Sequence, residues 1–256
     1  MLERMNVRTL LITGYGINAD YELAEAFRHA GASTDRFHIN DLIADTSVIS
    51  GYHILAFPGG FSFGDHISSG LIFANLCKKY LYNEINAFRN AGKLILGICN
   101  GFQVLVKMGI LPDSTGSWEQ EVSLVHNSSG NFIDRWVQLE KEEKNESAWT
   151  RGVETIDLPI RHGEGKFIVK DKRVLEWLEK TGCIALRYNG ENPNGSVHNI
   201  AGITDRTGRI FGLMPHPEAF LIPQNNPQWT RNRQMKSTGL AFFENAVQYS
   251  KKNLII

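Results

Sequence analysis

Long apolar runs are missing from this sequence. No stretch approaches the roughly 18 consecutive apolar residues of a membrane helix. The opening MLERMNVRTLLITG has no apolar segment of signal-peptide length followed by a small-residue cleavage site. The expectation is a soluble, cytoplasmic protein with no membrane association. Net charge is missing too. Lys+Arg and Asp+Glu number 27 each, which leaves no electrostatic footprint for a non-specific nucleic-acid binder. Cysteine is scarce: Cys77, Cys99 and Cys183 are three in number, and an odd count without a signal argues against a disulfide framework. There is no CxxC or HExxH spacing for zinc, no G-x-x-x-x-G-K-[ST] phosphate loop and no internal repeat. What is present, 42% hydrophobic and 21% charged residues over a length of 256, is ordinary globular composition.

The first half alternates strand-like and helix-like segments. Short β-rich apolar runs occupy 7–13, 53–57 and 93–98, and helical spacing occupies 21–30, 68–90 and 102–108. Gly31, Gly92 and Gly109 stand where those helices should stop. Strands alternating with helices imply a parallel sheet covered on both faces, with ligands at the carboxyl ends of its strands. The second half reads as strand-rich, at 155–160, 183–188, 200–204 and 210–214, with Asp205-Arg206-Thr207-Gly208 suited to a hairpin. A helix over 240–249 closes the chain. The expected fold class is α/β: a three-layer, flavodoxin-like domain over 1–256, its central sheet mainly parallel, with an antiparallel extension. Two segments stand apart, an insert-like stretch at 112–150 and an extended surface loop at 220–233.

Three segments carry chemistry. Gly97-Ile98-Cys99-Asn100-Gly101 lies between a strand and a helix, the nucleophile-elbow pattern with Cys in the nucleophile position. The glycines allow a sharp turn, and the amino end of the helix that follows favours an anion on the sulfur. Free cysteine is more often a small buried hydrophobe; the strand–elbow–helix setting favours the nucleophile. The N–H of Asn100 points to where an oxyanion would form. Met214-Pro215-His216-Pro217-Glu218 follows another strand. Proline after His216 keeps that residue extended, and residues two apart in an extended segment share a side, so Glu218 can orient His216 as base. Pro58-Gly59-Gly60-Phe61-Ser62-Phe63-Gly64-Asp65 also follows a strand, and Gly60 or Phe61 can offer the second oxyanion N–H.

Two further patterns compete for attention. Gly14-Tyr15-Gly16-Ile17-Asn18-Ala19 fits G-x-G-x-x-A, with Asp35 downstream, and a dinucleotide-binding loop is the lower-ranked alternative. His162 and Glu164, in RHGEG, read either as lining the site or a partner interface, or as a plain strand-end loop.

Together GICNGFQ and MPHPE resemble the class I, or triad, glutamine amidotransferases. FPGGFSFGDHISSG, YNGENPNGS followed by IAGI, PIRHGEG and the segment from Asn18 to Glu22 narrow the resemblance to the glutaminase components of phosphoribosylformylglycinamidine synthases. The resemblance implies L-glutamine as substrate, Cys99 as nucleophile, His216 as acid and base, Glu218 as its holder, and Gln103 as a contact to the substrate. It implies a thioester intermediate, with the ammonia passed to a partner that makes formylglycinamidine ribonucleotide in purine biosynthesis. It also implies a large synthetase subunit and a small bridging subunit as partners. ATP and Mg are expected on the synthetase; no cofactor and no metal are expected on this chain. A glutaminase serving another ammonia-using synthetase, or a related cysteine hydrolase, is the other reading. Ala219 where the family often has Arg, Ile67-Ser68 where it usually has Leu-Arg, and Ala19 where it often has Cys depart from the pattern. None touches the triad. The 112–150 segment or the 220–233 loop is the expected docking element for the synthetase.

Overall fold

The computed structural model describes residues 6–231 and 238–255. Positions 232 and 233 of the expected loop therefore lie outside the described residues. Among these residues, nine strands form one sheet in the order β2-β1-β3-β4-β11-β10-β9-β6-β7, and β5 and β8 form a separate pair. The strands are β1 Arg8–Thr13, β2 Ser33–His38, β3 Ile54–Phe57, β4 Leu94–Ile98, β5 Val122–Val125, β6 Ile133–Lys141, β7 Thr155–His162, β8 Lys166–Val169, β9 Ile184–Tyr188, β10 Ile200–Thr204 and β11 Ile210–Leu213.

From β2 to β11 every pairing is parallel. From β11 to β7 every pairing is antiparallel. Composition accounts for the division. Every residue of β3 (ILAF), β4 (LILGI) and β11 (IFGL) is buried, as a sheet covered on both faces demands. In contrast, β6 (IDRWVQLEK) buries only Val137 and Leu139, the half-wet habit of an antiparallel strand.

Helices cover the parallel half. Helix α1 (Asp20–His29) packs on α7 (Leu240–Asn253), where Phe27 meets Phe243 edge to face at 5.0 Å. On the other side lie α3 (Leu71–Tyr80), α4 (Tyr82–Asn90) and α5 (Asn100–Met108). Between them in sequence, α2 (Ile39–Ala44) follows β2. Near the antiparallel half, α6 (Lys172–Thr181) is capped by the Asp171 carboxylate, which accepts from the N–H groups of Arg173 and Val174, and stops at left-handed Gly182.

Two expectations change, and one strand has no signal in the sequence. The helix read over 68–90 is two helices, broken at Leu81, whose non-helical backbone (φ −120°) carries a wholly buried side chain. The 112–150 segment is no insert: it supplies β6, which fills the place between β9 and β7, and β5 of the small sheet. Strand β2 reads STDRFH, with no apolar run to announce it, and is held as the edge by its parallel ladder to β1.

Candidate active site

The carboxyl ends of β1, β3, β4 and β11 share one edge of the sheet because those strands run the same way. The chain leaves β4 directly into Cys99, at φ 52° and ψ −107°. That is a strained conformation for a residue with a Cβ, costing on the order of 1–3 kcal/mol, and it is the sharp strand-to-helix bend expected of an elbow. Both flanking glycines are sterically required. A Cβ on Gly97 would lie 2.6 Å from the Gly101 carbonyl oxygen, and one on Gly101 would lie 1.9 Å from the Phe57 carbonyl oxygen. Cys99 thus stands at the amino end of α5, 5% exposed, with its Sγ 3.8 Å from the Arg161 carbonyl oxygen.

His216 follows β11. Its backbone stands at φ −107° and ψ 89°, and its N–H donates to the Pro159 carbonyl at 2.8 Å, which ties it to β7. Glu218 reaches it by a different route from the one expected. Pro217–Ala219 form one turn of 3-10 helix, which folds the carboxylate back. Nδ1 of His216 and Oε1 of Glu218 are 2.6 Å apart in a buried setting, so Nδ1–H donates to the carboxylate. Nε2 is buried without a partner. Burial works against a charged ring, but the Glu218 carboxylate and the Cys99 sulfur outweigh it and hold the imidazole above its ordinary value. The ring therefore takes up a proton readily. Imidazole and cysteine flank Gly59, where a Cβ would stand 3.0 Å from Cε1 of His216 and 3.5 Å from Cβ of Cys99. The sulfur raises the ring both as a charge and as an acceptor, although Nε2 makes no hydrogen bond of ordinary geometry to it. Nucleophile and base are commonly loose before substrate arrives.

Cys99 and His216 line one cleft of about 290 Å³ with Asn18, Ala19, Glu22, Gly60, Phe61, Phe132 and Arg161. Of the two candidate oxyanion donors on the glycine-rich segment, the Phe61 N–H is committed to the Gly16 carbonyl at 2.8 Å. Gly60, at φ 147°, makes no such bond among the described residues, so its N–H is the donor available beside that of Asn100. The side chain of Asn100 is wholly buried. It accepts from the Ser62 N–H and donates to Asp65 and to Gln103.

Gln103 sits differently from the position the resemblance implies. Its Oε1 accepts from Asn100 at 2.8 Å, and its Nε2 donates to the Glu164 carbonyl at 2.6 Å. Its amide thus ties α5 to the β7–β8 turn instead of lining the cleft. Glu164 joins the same scaffold through the Ser69 N–H.

His162 is buried beneath this turn, with Nδ1 3.1 Å from the Asn127 side-chain oxygen and Gly165 packed on its ring. Burial, with the His216 charge adding, pushes it down to about 4. Its sign in the pH dependence is therefore fixed. The unfolded chain binds this proton below about 6.5, and the folded chain does so only near 4. Stability associated with His162 is present at neutral pH and is lost as pH falls through that window, by about 3 kcal/mol in full. The thermal unfolding midpoint of His162→Gln is expected to fall less steeply between pH 7 and 4.5 than that of the parent. Parallel profiles would contradict this account.

The G-x-G-x-x-A loop has no room for a pyrophosphate. The Tyr15 and Gly16 carbonyls accept from Phe63 and Phe61, Ile17 bridges Gly60, and a Cβ on Gly16 would meet the Phe61 carbonyl oxygen at 2.0 Å. The glycine-rich segment 59–63 fills the space. Arg161 and Glu22 belong to the site as well, although no motif assigns them a role. The Arg161 guanidinium donates to Glu22 Oε2 at 2.9 Å and lies 3.3 Å from His216 Nδ1. Because Nδ1 already donates to Glu218, Arg161 stands beside it as a charge. One lies in β7 and the other in α1, and nothing local in the sequence says that they meet.

A family described as the CobB/CobQ-like glutamine amidotransferase domain matches residues 6–250. The chain is 43% identical to phosphoribosylformylglycinamidine synthase subunit PurQ of Methanococcus maripaludis, over 96% of this chain and 98% of that one. It is 40% identical to the protein of the same name from Dehalococcoides mccartyi, with the same two shares covered. Among solved structures, a chain of PurLQS from Thermotoga maritima superposes with a TM-score of 0.74 at 30% identity, covering 96% of this chain and 99% of that one.

Proposed function

The chain belongs to the CobB/CobQ-like glutamine amidotransferase family, and from that premise we propose that it is the glutaminase subunit of a phosphoribosylformylglycinamidine synthase. It releases ammonia from L-glutamine for a separate synthetase subunit. The observation that carries the chemistry is a sulfur on a strained elbow sharing one cleft with a buried His216–Glu218 pair.

The roles follow from the atoms. His216 Nε2 takes the Cys99 proton, and Sγ attacks the side-chain amide carbon of glutamine. The N–H groups of Gly60 and Asn100 receive the developing oxyanion. Glu218 holds the imidazole in the tautomer that leaves Nε2 free, and stabilises it once charged. The proton then passes to the leaving nitrogen, and ammonia departs from a glutamyl thioester. Water, deprotonated by His216, hydrolyses the thioester to glutamate and restores the thiol.

The synthetase side, with its ATP and Mg, lies on other subunits: a large synthetase and a small bridging protein. The relatives named PurQ and the PurLQS assembly support that partnership. This chain needs no cofactor or metal for the steps above. No helix among the described residues is long and apolar enough to cross a membrane, and we place the complex in the cytoplasm.

The test is glutamate release with and without the synthetase, formylglycinamide ribonucleotide and ATP. Glutamine hydrolysis in the full mixture, matched by amidine formation, is the expected result. No glutamate in either setting would remove the proposal; glutamate without coupling would leave a glutaminase of another synthetase.

A further inference from the structure

Besides His216, the residues lining the cleft carry one basic and one acidic side chain, Arg161 and Glu22. They are 139 positions apart, on β7 and α1, yet they meet at 2.9 Å. Their side chains are 35% and 47% exposed. A pair that open contributes little to stability, and α1 is already anchored by buried Leu23, Ala26 and Phe27. The pair is also close to the chemistry: the Arg161 carbonyl oxygen lies 3.8 Å from Cys99 Sγ, and its guanidinium lies against His216.

A free amino acid carries two opposite charges on one carbon, a few bonds from its side-chain amide. We propose that Arg161 and Glu22 are the pair that recognises the α-carboxylate and α-ammonium of the substrate. Arg161 takes the carboxylate and Glu22 the ammonium. The inference rests on the glutaminase reading above. In the free protein the two side chains neutralise each other. When the zwitterion enters, each exchanges one partner for another, so no charge is stranded away from water. A guanidinium fork matches a carboxylate in geometry as well as sign. Ala19, Phe61 and Phe132 offer an apolar wall to the methylene groups between the two ends. The arrangement selects free glutamine over a glutamine residue within a polypeptide, which has neither charge.

The experiment uses the reconstituted synthetase complex and three substrates: L-glutamine, L-glutaminamide (no α-carboxylate) and Nα-acetyl-L-glutamine (no α-ammonium). The acid product of each is quantified. Arg161→Gln is expected to raise KM for glutamine roughly ten- to a hundredfold, the worth of a charged hydrogen bond, and KM for glutaminamide far less; any effect it has through the neighbouring His216 falls on kcat for all three substrates alike. Glu22→Gln should do the same for glutamine and spare acetylglutamine. Arg161→Lys should recover part of the loss. Ammonium-fed synthesis by each variant reports whether the complex is intact. Equal rises in KM for all three substrates, or an unchanged KM in both variants, would overturn the recognition pair while glutamine hydrolysis by the parent keeps the glutaminase reading. A parent that hydrolyses none of the three would end both.

Discussion

Cys99→Ala is expected to lower glutamine hydrolysis by a factor on the order of 10⁴ to 10⁶, the loss seen when a triad nucleophile is removed, and to leave ammonium-fed synthesis by the complex intact. The dissociation follows from position. Cys99 sits on the bend after β4, and alanine keeps its backbone and its Cβ contacts, so the scaffold has no reason to shift. Only the sulfur disappears. His216→Ala should give a comparable loss, because a thiol without its base is a weak nucleophile. The double variant should be little worse than either single one, since groups that act as a unit are not additive. The measurement is glutamate release beside amidine formation from ammonium chloride. Residual glutamine hydrolysis within tenfold of the parent in Cys99→Ala would exclude the thioester mechanism.

The second large effect is structural. Gly101→Ala places a methyl 1.9 Å from the Phe57 carbonyl oxygen and 2.6 Å from its carbon. Backbone cannot yield as a flexible side chain does, so α5 must lift off β3. The cost expected for such overpacking is about 3 kcal/mol or more. The elbow should move with the helix, and with it both the sulfur and the Asn100 N–H. Urea unfolding read by circular dichroism gives the stability change, and glutaminase activity gives the displacement. Gly51→Ala is the control. Its added Cβ would meet nothing nearer than an Arg8 guanidinium nitrogen at 3.5 Å, and its midpoint should stay close to that of the parent. Equal behaviour of the two variants would mean that the close packing at Gly101 does not set the elbow.

The legible parts of this sequence were those determined within a few residues. ILAF, LILGI and IFGL are apolar enough to be covered on both faces whatever surrounds them, and they form the centre of the sheet. The elbow and the His-Pro-Glu segment are local devices, so Cys99, His216 and Glu218 could be singled out before any fold was known. What depends on distant neighbours was not legible. The polar STDRFH becomes a strand only because β1 presents a ladder to it. The segment 133–141 becomes central to the antiparallel arm because β9 and β7 arrive later in the chain. The sequence does not separate Phe61 from Gly60 as oxyanion donor; the Gly16 carbonyl, which holds the Phe61 N–H, does. Gln103 had a role by resemblance, but here its amide is already shared between Asn100 and Glu164. The meeting of Arg161 with Glu22 has no local trace at all.

Strand β11 lies between β4 and β10, although its four residues come late in the chain, at 210–213. During synthesis the amino-terminal half can assemble four parallel strands, but the apolar flank of β4 then has no neighbour until more than a hundred further residues have left the ribosome. A bare hydrophobic border of that kind invites pairing with another nascent chain. Premature termination anywhere in that interval should therefore yield insoluble fragments, and slow translation or cold growth should increase dependence on chaperones.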